Sequence, residues 1–265
     1  MHYRTTGTVG GVHGRVLWMI HASPSSSVQL VALMLALAEG RRVIAPDTLG
    51  NGDSARPAVE APDAAYYADA TLRAMDAFGL REVDLYGSHT GAHIATEVAL
   101  AAPQRVRRLV LDGIGMFDAA TKERLLAHYA PAVSLDVFGS QIHWAWHFVR
   151  DQAWFFPYFE RDPGHNRGLG MPGAATLHTT TVEVLKAIET YHLAYRAAFA
   201  HPDRERLPLL RVPTLVTADA SDPLKAGVDA AADLIPGAER AVLEGESTPA
   251  GLVAKAARIT AFLDG

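Results

Sequence analysis

The chain has 265 residues, no cysteine and a formal net charge of −5 with histidine neutral. That length supports one large domain with its own core, and the lack of cysteine excludes disulfides, thiol catalysis and cysteine-ligated metals. Hydrophobic residues at 49% and charged residues at 20% fit a globular chain rather than a disordered one, and the acidic balance offers no basic footprint for nucleic acid.

In chain order, MHYRTTGTVGGVHG lacks the apolar core of a secretory signal. The longer opening, HYRTTGTVGGVHGRVLWM, is expected to hold an antiparallel edge pair. RVLWMIHA (15–22) reads as a buried strand. SSSVQLVALMLALAEG follows as a helix with a Ser N-cap and a Gly stop. Its apolar run (28–38) is too short to span a bilayer, so the expectation is a soluble, cytoplasmic protein with no membrane partner. RRVIAPD is a strand, DAAYYADATLRAMDAFGL a helix, EVDLYG a strand, TGAHIATEVALAAP a helix and RVRRLVLDG a strand. VPTLVTAD (strand), a helix over 225–234, AERAVLEG (strand) and a helix over 249–263 close the chain. Alternating strands and helices imply βαβ units: an α/β fold with a mostly parallel twisted sheet and helices on both faces.

Residues 117–207 break the alternation. This stretch reads as helical and holds three of the four tryptophans, in HWAWHFVRDQAWFFPYFERDP. An insertion after a sheet strand is a candidate lid over a site at the sheet's carboxyl edge.

Four segments then occur in order: MIHASP, APDTLGNGDSARP, LYGSHTGA and VPTLVTADASDPL. Together they resemble the α/β-hydrolase superfamily over nearly the whole chain. The resemblance implies an α/β-hydrolase core at 1–116 and 208–265, with a helical lid, or cap, at 117–207. It places the nucleophile elbow at Gly87-Ser88-His89-Thr90-Gly91, the catalytic acid at Asp222, and the oxyanion donors at the Ala22-Ser23 loop and the Thr90 amide. Two positions depart from the family pattern. His89 stands where the nucleophilic serine belongs. Thr248, in LEGESTPAG, stands where the catalytic histidine belongs.

The two departures read as one change. An imidazole on the elbow extends into the volume of the missing histidine, where Thr248 leaves room. One ring nitrogen of His89 would face Asp222, directly or through Thr248 or a water, and the other would face substrate. Such a site has a general base and an oxyanion hole but no hydroxyl nucleophile. It suits hydrolysis by activated water, or lyase- or cyclase-type proton abstraction beside a carbonyl. Two alternatives stay open: an esterase using Ser88, and a non-catalytic ligand-binding protein of the same fold.

Other residues carry weaker signals. Asp112 ends a strand where an acid can sit in this fold, and equally forms an Asx turn before Gly113. Glu246 is a loop carboxylate near the cleft, and His21 is read as loop support. His143, His147 and Asp151 share a helical face as metal ligands do, but the face is read as lid lining or packing, with His147 and Trp144 assigned to the cleft. The remaining lid aromatics are read mainly as lid core, and a subset in the cleft favours a flat or apolar substrate. His178 and His192 are left at the surface. Gly50-Asn51-Gly52 lacks the lysine of a phosphate loop, so no cofactor is expected. The expected partner is a small-molecule substrate, and self-association is compatible with the chain.

Overall fold

The computed structural model describes residues 1–7, 15–245 and 248–265. Its strands are β1 (Tyr3–Thr6), β2 (Val16–Ile20), β3 (Arg42–Pro46), β4 (Val83–Ser88), β5 (Val106–Asp112), β6 (Thr214–Asp219) and β7 (Glu239–Leu243). Its α-helices are α1 (Val31–Leu37), α2 (Ala64–Ala77), α3 (Thr90–Ala101), α4 (Ala119–His128), α5 (Ser140–Trp154), α6 (Ala174–Lys186), α7 (Tyr191–Ala200), α8 (Asp203–Arg206), α9 (Val228–Leu234) and α10 (Pro249–Asp264).

The strands form one sheet in the order β1-β3-β2-β4-β5-β6-β7. All pairings are parallel except that of β1. An antiparallel edge strand is therefore present, but its partner is β3, with Tyr3 opposite Pro46 and Thr6 opposite Val43. The expected pairing within the opening segment is not made by the described residues.

Alternation along each strand sends side chains to opposite faces, and β2 displays it. Trp18 and Ile20 pack into a core with α2, α3 and α9, whereas Leu17 and Met19 pack into a second core with α1 and α10. Both faces are covered, so the inner strands read as continuous apolar runs.

Strand order reverses between β2 and β4, where β3 lies on one side of β2 and β4 on the other. A reversal of this kind leaves a crevice at the carboxyl ends of the flanking strands. The loop after β2 and the turn after β4 meet there. Helices α4 to α7 lie between β5 and β6 and gather around a third apolar cluster that includes Tyr129, Phe148, Tyr191 and Tyr195. Among the described residues no helix is long and apolar enough to cross a membrane.

Candidate active site

β4 ends at Ser88 and α3 begins at Thr90, so His89 alone makes the turn. Its backbone sits at φ 47° and ψ −110°, and among the described residues no other non-glycine residue has a positive φ. Holding a side chain there costs about 1–3 kcal/mol, and such strain clusters at functional turns. The turn is held by His89 N–H donating to the Asp112 carbonyl at 2.8 Å and by Ala92 N–H donating to the His89 carbonyl at 2.8 Å. Gly91 lets the start of α3 press against β2, because a Cβ there would lie 2.3 Å from the Ile20 carbonyl oxygen.

The His89 ring reaches across the end of β5. Its Nε2 lies 2.5 Å from Asp222 Oδ2, a direct contact with no bridging group. Gly113, at φ 68°, makes this reach possible: a Cβ there would stand 2.2 Å from His89 Cδ2 and 2.4 Å from Nε2. Asp222 is tied from its other side, since Leu224 N–H donates to Oδ1 at 2.8 Å. Burial disfavours charge on both groups, yet each outweighs it for the other. Asp222 holds the imidazole above its ordinary pKa, and His89 holds the Asp222 carboxyl below its own. Asp222 is thus a carboxylate that accepts from Nε2–H, and Nδ1 is the nitrogen left for exchange.

A cavity of about 280 Å³ lies against this pair, lined by His89, Asp222, Ser23 and Thr90. The N–H groups of Ser23 and Thr90 have no acceptor among the described residues. The Ala22 N–H is different, because it donates to Gln29 Oε1 at 2.9 Å. Of the two residues expected to supply an amide from that loop, Ser23 alone has one free.

The sequence reading misses two groups in the cavity. His93, one turn along α3 from His89, lines it and places Nδ1 2.7 Å from Asp203 Oδ1. The i, i+4 spacing from the elbow is its signal in the sequence. Arg167 brings a guanidinium beside Asp222, anchored by donating to the carbonyls of Gln152 and Ser221, and nothing local in the sequence marks it. Phe117, Tyr129, Phe156, Tyr195 and Phe199 form the apolar wall, so of the aromatics in HWAWHFVRDQAWFFPYFERDP Phe156 reaches the cavity.

Several expected site residues lie elsewhere. Thr248 is exposed and caps α10, its Oγ1 accepting from Gly251 N–H at 3.0 Å; Thr followed by Pro at the first helical position favours this role. Trp144 stacks on Phe148, with centroids 4.7 Å apart, inside the cluster of the inserted helices. His147 and His143 are exposed on α5, whereas Asp151 is buried in ion pairs with Arg150 and Arg161. Their shared face is therefore neither a ligand set nor a cleft lining. His178 is exposed and His192 half-buried. Glu246 lies outside the described residues.

Ser88 lines a second, smaller cavity of about 170 Å³ with Tyr86, Asp112 and Lys255, which His89 and Asp222 also border, and makes no hydrogen bond to a histidine among the described residues. Asp112 meets His89 through its backbone carbonyl only: its side chain is buried, accepts from Tyr86 Oη and pairs with Lys255 Nζ at 2.6 Å. His21 pins two loops, its Nε2 accepting from Thr48 N–H at 2.9 Å and its Nδ1 donating to the Ala22 carbonyl at 2.8 Å. Burial lowers its pKa.

Residues 15–167 match the model of the alpha/beta hydrolase fold family. The chain belongs to that family. As a member of the α/β hydrolase fold family, it shares 41% identity over 103 residues with 2-hydroxymuconate semialdehyde hydrolase of Pseudomonas sp. strain CF600, a stretch covering 38% of this chain and 36% of that protein. The matched stretch thus spans about a third of that relative's length. Among solved structures, bromoperoxidase from Bacillus anthracis superposes with a TM-score of 0.73 at 22% identity, covering 99% of this chain and 95% of that one. A meta-cleavage product hydrolase from Pseudomonas fluorescens IP01 superposes at 0.66 with 20% identity, covering 99% and 93%. These likenesses place the fold of this α/β hydrolase.

Proposed function

We propose that this α/β hydrolase is a cofactor-independent enzyme acting on a small carbonyl compound, an ester or ketone with an apolar or aromatic part, and that His89 is its general base. The observation that carries the reading is the 2.5 Å contact between His89 Nε2 and Asp222 Oδ2, made from a strained turn whose ring also lines a cavity. Strain at a histidine that already has a carboxylate partner points to the ring's other nitrogen as the purpose of the geometry.

In hydrolysis, Nδ1 takes a proton from water as the water oxygen bonds to the carbonyl carbon. Asp222 stabilises the imidazolium that forms, and the free N–H groups of Ser23 and Thr90 receive the negative charge on the carbonyl oxygen. The same base removes a proton beside a carbonyl when no water is placed, which gives lyase or cyclase chemistry. The aromatic wall supplied by the inserted segment supports its role as a lid and favours an apolar substrate. The relative named for a semialdehyde substrate supports the carbonyl class.

The test is turnover of a panel of small esters and ketones by wild type and His89→Ala, with folding checked by thermal melting. The expected result is a loss of about 10²–10⁴-fold, the range for removing a general base. Undiminished turnover by His89→Ala overturns the reading.

A further inference from the structure

We propose that His93 is a second catalytic imidazole of this cavity, the acid that protonates the group leaving the carbonyl carbon, with Asp203 as its positioning residue. The proposal rests on the reading of His89 as base and assigns the complementary proton to a residue that reading does not use.

The geometry separates His93 from a structural histidine. His21 and His201 each engage both ring nitrogens: His21 with Thr48 and Ala22, His201 with Asp203 Oδ1 at 2.7 Å and Glu97 Oε1 at 2.8 Å. His93 engages one. Its Nδ1 lies 2.7 Å from Asp203 Oδ1, its side chain is 6% exposed, and its ring lines the cavity shared with His89. Nε2 has no partner among the described residues. That nitrogen is not sealed in the core but is open to the cavity, where a ligand or solvent group can meet it.

The protonation pattern follows from the partners. Burial opposes charge on Asp203, but His93 and His201 overcome it and hold the carboxyl far below its usual range. Asp203 is therefore an acceptor, Nδ1 of His93 donates to it, and Nε2 is the nitrogen left to the cavity. Asp203 itself is fixed. Its Oδ1 also accepts from His201, and its Oδ2 lies 3.5 Å from Lys122 Nζ. His201 in turn rests on Glu97, which takes two hydrogen bonds from Arg206 at 2.7 Å. His93, His201 and Asp203 bring three ligand-type atoms within 4.8 Å, but both histidines meet one carboxylate oxygen at hydrogen-bond distance, the arrangement of a shared acceptor.

The two imidazoles divide work that a single histidine performs in a serine triad. For an ester, water gives a proton to His89 Nδ1 and its oxygen bonds to the carbonyl carbon. The carbon–oxygen bond to the alcohol then breaks, and that oxygen takes the Nε2 proton of His93. Acid and alcohol leave, and the proton on His89 returns to His93 through solvent. The substrate class is an ester whose alcohol is too basic to depart unprotonated, an alkyl rather than an activated ester.

The test compares ethyl benzoate with p-nitrophenyl benzoate, whose phenolate leaves without a proton. The expected result for His93→Gln is a fall in kcat on the ethyl ester about 10²-fold greater than on the nitrophenyl ester, the lower end for loss of a general acid. Asp203→Asn should show the same selectivity more weakly. Equal losses on both esters, or no turnover of either by wild type, overturn the proposal. His89→Ala should lose both substrates alike. If it retains both while His93→Gln still discriminates, the reading of His89 fails and that of His93 stands. Should His93→Gln not fold, ¹⁵N spectra of the wild type decide: the neutral ring of His93 must carry its proton on Nδ1, and a neutral ring protonated at Nε2 instead overturns the assignment.

Discussion

Two imidazole–carboxylate pairs face one cavity, and they are built differently. His89 stands on the elbow with its side chain 39% exposed, bonded to a carboxylate that serves no other side chain among the described residues except through the field of Arg167. His93 stands inside a regular helix, nearly enclosed, on a carboxylate shared with His201 and Lys122. The first pair is accessible and held by backbone strain. The second is immobilised by a network of opposite charges. Each pair should therefore fail in its own way: loss of the first in chemistry and pH dependence, loss of the second also in stability.

The largest effects should come from the elbow pair. His89→Ala should lower kcat/KM by up to about 10⁴-fold with folding intact, read from steady-state kinetics and a melting curve. Asp222→Asn should cost about the same order, because the amide no longer stabilises the imidazolium. Its pH profile carries more information. With His89 raised above its ordinary value, the base form grows only at higher pH, so the wild-type ascending limb sits above the usual imidazole midpoint. Removing the Asp222 charge leaves burial as the dominant influence, and the limb should move to lower pH. A limb that stays in place in Asp222→Asn would assign the titration to another group.

The second pair should fail through the fold. Asp203→Ala leaves Lys122 without this counter-charge and His201 with Glu97 alone, and breaking a buried pair costs about 3–5 kcal/mol. Urea unfolding should report it. The dependence on pH has a defined sign. Burial opposes charge on Asp203, but His93 and His201 overcome it and lower its pKa, so its contribution is present above the ordinary carboxylate pKa and lost as pH falls toward its own. Burial lowers His201, but Asp203 and Glu97 outweigh it and raise its pKa, so its contribution is lost as pH rises through that elevated value. The wild-type advantage over Asp203→Ala should therefore shrink at both ends.

The fold was legible because the strand runs and helix periods alternate, and because four motifs occur in order. Only the partner of β1 escaped, since edge pairing depends on tertiary placement rather than on local pattern. At the site, His89 and Asp222 were legible as an elbow and an acid. His93 lies outside the motif but carries its own mark, the i+4 step on the helix that the elbow starts. Trp144 and His147 were misplaced because helical periodicity says that a face is buried or polar, not which neighbour it meets. The inserted helices have a core of their own, and it claims Trp144. Thr248 lies away from the cavity because the Thr-Pro start of α10 takes it as a cap.

The smallest effect is the most local one. Gly113→Ala adds one carbon beneath the His89 ring, 2.2 Å from Cδ2 and 2.9 Å from Asp222 Oδ2. Neither the strand behind it nor the backbone at φ 68° yields easily, so the ring must swing away from Asp222. A displacement near 1 Å of a catalytic group costs about 10²-fold in rate, less than deleting the ring. Because the carboxylate stays in place and loses its contact, the ascending limb should move to lower pH, toward that of Asp222→Asn, and the ester selectivity set by His93 should persist. A Gly113→Ala enzyme that loses rate with an unmoved pH limb would mean that the glycine serves the turn of β5 and not the reach of His89.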